Sequence, residues 1–176
     1  MENEKQLFTV SIYTENNVGL LNRVSAIFQR RKINIESINL STSELDGVSR
    51  WSIVVAVSEG QMRKIIGQIE KQVEGINAYF HSDDETIYQE SCLFKIKSDL
   101  LFEDRQIQNI IKESNARIVT VNREFFVLEK SGRKEEVELI YRELKPFGIM
   151  QFVRSGRISV TKEELKVSPI LEAFHA

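Results

Sequence analysis

Side chains able to hold a small zwitterion crowd one break in the chain. In "TENNVGLLNRVSAIFQRRKINIES", Thr14 to Ser37, a strand-like run stops and a helix-like run starts. Asn16, Asn17 and Gly19 stand at the join, and Asn34 follows the helix directly. A helix start presents free backbone N–H groups and a partial positive charge, which suit a carboxylate. Gly19 has no side chain, so a ligand can approach its backbone closely. An amide oxygen of Asn16 or Asn17 can accept from an ammonium group. Asn34 could complete such a site in the same chain or in a second copy. The same residues also suit a plain turn and helix cap.

Other reactive groups are sparse. The two histidines, His81 and His175, fall at a polar break and near the C-terminus. No His/Cys cluster has zinc-ligand spacing, and no nucleophile–base set can be assembled. Neither glycine-rich phosphate motif is present. The paired carboxylates of "SDDE", Ser82 to Glu85, read as a solvated loop with nothing to move their pKa values. Cys92, the single cysteine, lies in the apolar run "SCLFKI" and reads as an inert buried thiol. These features argue against a catalytic chain and for a binding one.

Composition fits a folded protein of 176 residues, 41% hydrophobic and 28% charged. That length permits one domain or two small ones. A net charge of -2 argues against a nucleic-acid surface. No apolar run is long enough to span a bilayer. The start "MENEKQLFTV" lacks the pattern of a secretion or transit signal, so a cytoplasmic location without membrane attachment is expected.

The site must be positioned by the elements around it. Phe8, Val10 and Ile12 alternate with polar residues, as in a half-buried strand. Leu20, Leu21, Val24, Ile27 and Phe28 recur at helical spacing, and Arg30, Arg31 and Lys32 suit the helix end. Ile33 and Ile35 have one parity and Ile38 and Leu40 the other, which predicts a bulge near Glu36–Ser37. Asp46–Gly47 marks a hairpin turn. Trp51, Ile53, Val55 and Val57 then alternate. Met62, Ile65, Ile66, Ile69 and Val73 make a second helical stripe, and Ile76, Ala78 and Phe80 a fourth strand.

"HSDDET", His81 to Thr86, reads as a linker, after which the order repeats. Cys92, Phe94 and Ile96 predict a strand. Ile107, Ile110 and Ile111 predict a helix from near Phe102. Ile118 to Val121 and Phe125 to Leu128 predict a strand pair with a turn around Asn122–Glu124. Val137, Ile140, Tyr141 and Leu144 predict another helix, ended by Pro146 and Gly148. Ile149 to Val153 and Ile158 to Val160 close the unit, and the tail from Lys162 onward forms a short helix or frays. The expected class is α+β, with two tandem ferredoxin-like βαββαβ units. In the first unit, Ile38, Leu40 and Trp51 suggest a partly apolar sheet face opposite the helices, and hence a dimer or a partner subunit.

The motifs "TENNVGLLNRVSAIFQRRKINIESINLS", "SRWSIVV" and "FGIMQFVRSGRISV" resemble those of the small, regulatory subunit of acetolactate synthase (acetohydroxyacid synthase). The matching positions are Glu15, Asn16, Gly19, Leu21, Arg23 and Val24, then Arg30, Arg31 and Asn34 to Ser37, then Ser49 to Ile53. The resemblance implies an N-terminal ACT domain over residues 1–82, a ferredoxin-like domain over 83–162 and a tail over 163–176. It also implies a homodimer, with valine or a related branched-chain amino acid bound between two ACT domains. Asn16, Gly19, Leu20, Leu21 and Asn34 would hold that ligand: Asn16 and Asn34 at its polar head, the Gly19–Leu21 backbone at its carboxylate. The chain would carry no catalysis and no cofactor. It would activate a separate catalytic large subunit carrying thiamine diphosphate, magnesium and FAD, and confer feedback inhibition on it.

Two positions depart from the family pattern. Lys32 stands where a glycine is usual, so a left-handed helix cap there must be carried by a side-chain-bearing residue. Gln151 stands where glutamate is frequent, which bears on partner contacts. Two rival functions share the fold. One is an amino-acid-sensing ACT regulator of a different enzyme or of transcription. The other is an RNA-binding module, but "VSRWSIVV" lacks the aromatic core that reading requires.

Overall fold

A computed structural model describes residues 4–44, 46–72 and 75–163. Val73, His175 and most of the C-terminal tail lie outside the described residues. The chain forms two compact units, one of residues 1–87 with 157–176 and one of residues 88–156.

The first unit follows the alternation in its sequence. It runs β1 (Gln6–Glu15), α1 (Leu20–Arg30), β2 (Ile35–Thr42), β3 (Val48–Val57), α2 (Glu59–Gln72) and β4 (Gly75–Ser82). The strands form an antiparallel sheet in the order β2-β3-β1-β4, so β2 and β4 are its edges. Phe8, Val10 and Ile12 of β1 pack with Ile53 and Val55 of β3 beneath Val24, Ile27 and Phe28 of α1 and Met62, Ile65 and Ile69 of α2. The ladder between β2 and β3 slips between Ile35 and Ser37, as the broken parity predicts.

The face assignment of three residues needs correction. Trp51 is buried in the core beneath the helices, and Ile38 and Leu40 pair directly with Ile53 and Trp51. All three therefore face the helix side, because the bulge restores the side on which Ile35 packs. Ile38 and Leu40 stay 40% and 46% exposed, on a strand at the sheet's edge. The opposite face carries Thr9, Ser11, Tyr13, Ser52 and Val54, all buried and mostly polar.

The expected linker is mostly structure. β4 runs through His81 to Ser82, Asp83–Glu85 make one 3-10 turn, and β5 (Thr86–Lys97) begins at once. Ser82 donates to the Glu85 carboxylate from its backbone N–H at 2.7 Å and from its hydroxyl at 2.8 Å. These bonds, the backbone one first, hold the Glu85 carboxyl below the usual carboxylate range.

The second unit repeats the order, with α3 (Ser98–Glu103), α4 (Arg105–Ser114), β6 (Arg117–Val121), β7 (Phe125–Gly132), α5 (Lys134–Leu144) and β8 (Gln151–Arg154). Its strand order, β6-β7-β5-β8, copies the first. The helix expected from Phe102 is two helices. The first starts at Ser98, and Asp104 breaks it and caps the second by accepting from the Gln106 N–H at 2.8 Å. The last strand, β9 (Ile158–Thr161), belongs to the segment that returns to the first compact unit.

Candidate functional site

The turn between β1 and α1 is built from three directions. The Asn16 N–H donates to the Gly47 carbonyl at 2.9 Å, tying the end of β1 to the hairpin turn. The Trp51 indole N–H donates to the Thr14 hydroxyl at 2.9 Å inside the core. The Asn17 amide donates to the Glu15 carboxylate at 2.9 Å, and its backbone N–H to the Glu15 carbonyl. Asn16, Asn17, Val18 and Gly19 are all exposed.

Gly19 is the residue before the helix, with φ 88° and ψ -5°, a left-handed conformation that favours glycine. A side chain there would meet no atom within 4 Å, so the turn is open on that side. No side chain caps the helix start. The first helical bond runs from the Arg23 N–H to the Gly19 carbonyl. The N–H groups of Leu20, Leu21 and Asn22 precede it and meet no helical carbonyl. Leu20 turns its side chain into the core, while Leu21 is half exposed. The turn thus offers backbone donors and a positive helix end, with apolar surface from Leu21 beside them.

Asn34 is not part of this cluster. Its side chain donates to the Glu36 carboxylate at 3.1 Å, just before β2. Register places it far from the turn. Glu15 pairs with Val48, at one end of β3, whereas Ile35 pairs with Val55 near the other. Seven residues of strand separate the two levels, roughly 20 Å at 3.3 Å per residue. A same-chain site using Asn16 and Asn34 together is excluded by that distance.

Lys32 has φ 54°, the left-handed geometry that its place after the helix demands. Its N–H donates to the Gln29 carbonyl and the Ile33 N–H to the Phe28 carbonyl, which closes α1 in the manner usual for glycine.

The remaining candidates are structural. Cys92 is buried, and burial pushes its thiol up to about 11. Asp83 is not the solvated carboxylate expected of it: it pairs with the Arg157 guanidinium at 2.6 Å. Sequence reasoning missed Arg157 because its partners lie more than seventy positions upstream. Among the described residues no group of His, Cys, Asp and Glu could hold a metal ion, and no helix is long and apolar enough to cross a membrane.

Comparison with known proteins places the fold and the family. Residues 10–76 match the family described as AHAS small subunit-like ACT domain, and residues 89–163 the family described as small subunit of acetolactate synthase. The chain is 32% identical over 162 residues to the acetolactate synthase small subunit of Mycolicibacterium smegmatis, covering 92% of this chain and 95% of that one. The chain belongs to the acetolactate synthase small-subunit family. The small subunit of Bacillus subtilis is 31% identical over 153 residues, covering 86% of this chain and 87% of that one. The crystal structure of the small subunit from Thermotoga maritima superposes with a TM-score of 0.81 at 25% identity, covering 91% of this chain and 99% of that one. The first unit is accordingly an ACT domain, and membership of the small-subunit family places the chain in branched-chain amino acid biosynthesis.

Proposed function

We propose that this chain is the non-catalytic regulatory subunit of an acetolactate synthase. It activates a catalytic large subunit, which carries the thiamine diphosphate, magnesium and FAD, and it makes that subunit responsive to valine or a related branched-chain amino acid. The ACT domain over residues 1–82 takes the effector. The second domain begins near residue 83, its last stretch, residues 157–162, lies with the first compact unit, and 163–176 are the tail.

The observation that carries this reading is the uncapped helix start at Gly19, open on its outer side. Backbone donors there suit the effector's carboxylate, and the exposed Leu21 side chain suits its aliphatic group. Asn34 joins the site from a second copy. β2 is an edge strand with exposed Ile38 and Leu40. Pairing it antiparallel with its own copy brings the start of one β2 beside the end of the other, at the level of the Asn16 turn. A two-fold dimer of this kind is self-complementary and covers the apolar edge. An amino acid held by both copies changes their pairing only to the extent that it favours one arrangement. A coupling of about 1–3 kcal/mol gives a 5–150-fold change in affinity.

Copurification of the chain with a thiamine-dependent large subunit, followed by assay of the complex with and without valine, tests the reading. Asn16→Ala and Gly19→Asp should abolish inhibition and leave activation mostly intact. A doubly altered chain inhibited as well as wild type removes the site. A regulator of some other enzyme would bind the amino acid but bring down no such subunit.

A further inference from the structure

Arg157 opens a segment laid against the sheet face opposite the helices of the first unit. Its backbone N–H donates to the Ser37 hydroxyl of β2 at 3.0 Å. Its guanidinium, buried, donates to the Thr9 hydroxyl of β1 at 3.1 Å and to the Asp83 carboxylate, just past β4, at 2.6 Å. Two residues on, the Ser159 carbonyl accepts from the Arg50 guanidinium of β3. The Lys162 N–H donates to the Glu85 carbonyl at 2.9 Å and its ammonium to the Asp84 carbonyl at 2.6 Å. Six residues therefore reach every strand of the sheet or the turn that ends it.

These contacts are directional, and those made by Arg157 and Arg50 are buried or partly buried, unlike an apolar cover that could slide. A buried arginine that lost Asp83 would lose a close charge partner, so the pair fixes geometry even where its net stabilisation is small. The Ser37 contact falls where the ladder between β2 and β3 slips. Within one copy β2 is bonded to the sheet on one side only, and the bulge interrupts that single ladder. A bond from outside the sheet at the bulge supplies a fixed point that the ladder lacks there.

We propose that residues 157–162 form a strap that holds the edge strand β2 in register from the open face, with Arg157 as its positioning residue. One consequence rests on the function proposed above. If Asn34 serves an effector site, the strap links the strand next to it with the segment that carries β9, so a shift of β2 on binding reaches residues 157–163.

Hydrogen exchange read by mass spectrometry on the full-length chain, with no amino acid added, tests the strap. In Arg157→Met and in Ser37→Ala, the amides of residues 37–42 should exchange about tenfold faster than in wild type, with those of residues 8–12 and 53–57 within about twofold. Arg157→Lys, which keeps the charge but not both side-chain bonds, should fall between. The double variant should add little, because both changes open the same strap. Unchanged exchange over residues 37–42 in Ser37→Ala, or uniform acceleration across the first unit, overturns the proposal. Should Arg157→Met fail to fold, Ser37→Ala decides alone. Calorimetric titration of wild type with valine runs beside it. A wild type that takes up no valine, leucine or isoleucine ends the effector reading, and the exchange result still decides the strap.

Discussion

Asn16 and Asn34 stand at opposite ends of the first sheet, although only one helix separates them in the chain. The register that pairs Glu15 with Val48 and Ile35 with Val55 enforces this. Under the proposed function each effector site then takes Asn16 from one copy and Asn34 from the other. Asn16→Ala and Asn34→Ala, each alone, should lose valine binding. Mixed after unfolding and refolding together, they should form heterodimers in which one of the two sites is intact. Calorimetry should recover about a quarter of the wild-type stoichiometry for random pairing with no subunit preference. Failure of the mixture to recover any binding would point to a site closed within one chain.

At Gly19, charge and strain can be separated. The left-handed φ of 88° disfavours any side chain, but Asn tolerates that region better than most and nothing lies within 4 Å to obstruct it. Gly19→Asn and Gly19→Asp are nearly isosteric. Both should lower thermal stability by a similar amount, on the order of 1 kcal/mol. Only the aspartate opposes a ligand carboxylate, so its valine affinity should fall at least about tenfold below that of the asparagine variant, equivalent to roughly 1.4 kcal/mol. Equal affinities would mean that no anion sits at the helix start.

Lys32 carries the opposite expectation. It holds φ 54° after α1, is exposed, and makes its helix-closing bond through its backbone. Lys32→Gly removes the steric cost of a Cβ in that conformation, partly offset by the greater freedom of glycine in the unfolded chain. A net gain of about 0.5–1 kcal/mol is expected, seen as a rise in melting temperature of about 1–4 °C for a chain of this size. A fall in melting temperature would mean that the lysine side chain contributes packing that outweighs its strain.

Cys92 gives a pH dependence with a defined sign. Burial raises the folded thiol from 9.0 to about 11, so the folded state holds its proton more tightly than the unfolded state. The contribution to stability is full below pH 9 and is lost as pH rises toward 11. Cys92→Ala should flatten that alkaline decline in a denaturant series run from pH 8 to 11, apart from the shared effect of lysine and tyrosine titration. In the native wild type at pH 8, alkylation of the thiol should be slow and governed by opening of the second unit.

Much of this fold can be read from spacing, because alternation and helical stripes are local. The parity break between Ile35 and Ile38 marks the bulge, and Asn122–Glu124 marks the turn where the Asn122 carboxamide oxygen accepts from Glu124 and Phe125. The Asn16–Gly19 turn is legible for the same reason. What covers a face is decided by residues far away in sequence. Trp51, Ile38 and Leu40 therefore read as belonging to the wrong face, and Asp83 as solvated, since neither α1 nor Arg157 announces its neighbours in the local pattern. The break between α3 and α4 was hidden because Leu100 and Leu101 continue an apolar stripe across Asp104, which is itself a good cap. The separation of Asn34 from the Asn16 turn is a matter of register, and register is fixed by pairing across the sheet.

The bulge in β2 carries a lesson about how this strand can vary. Ser37 already opposes Val54, and Ile38 opposes Ile53, so shortening the chain by Glu36 alone would leave Ile35, Ile38 and Leu40 pointing where they point now. The interior does not ask for the extra residue. A one-residue length change farther along β2 would instead invert inside and outside for everything that follows up to the hairpin.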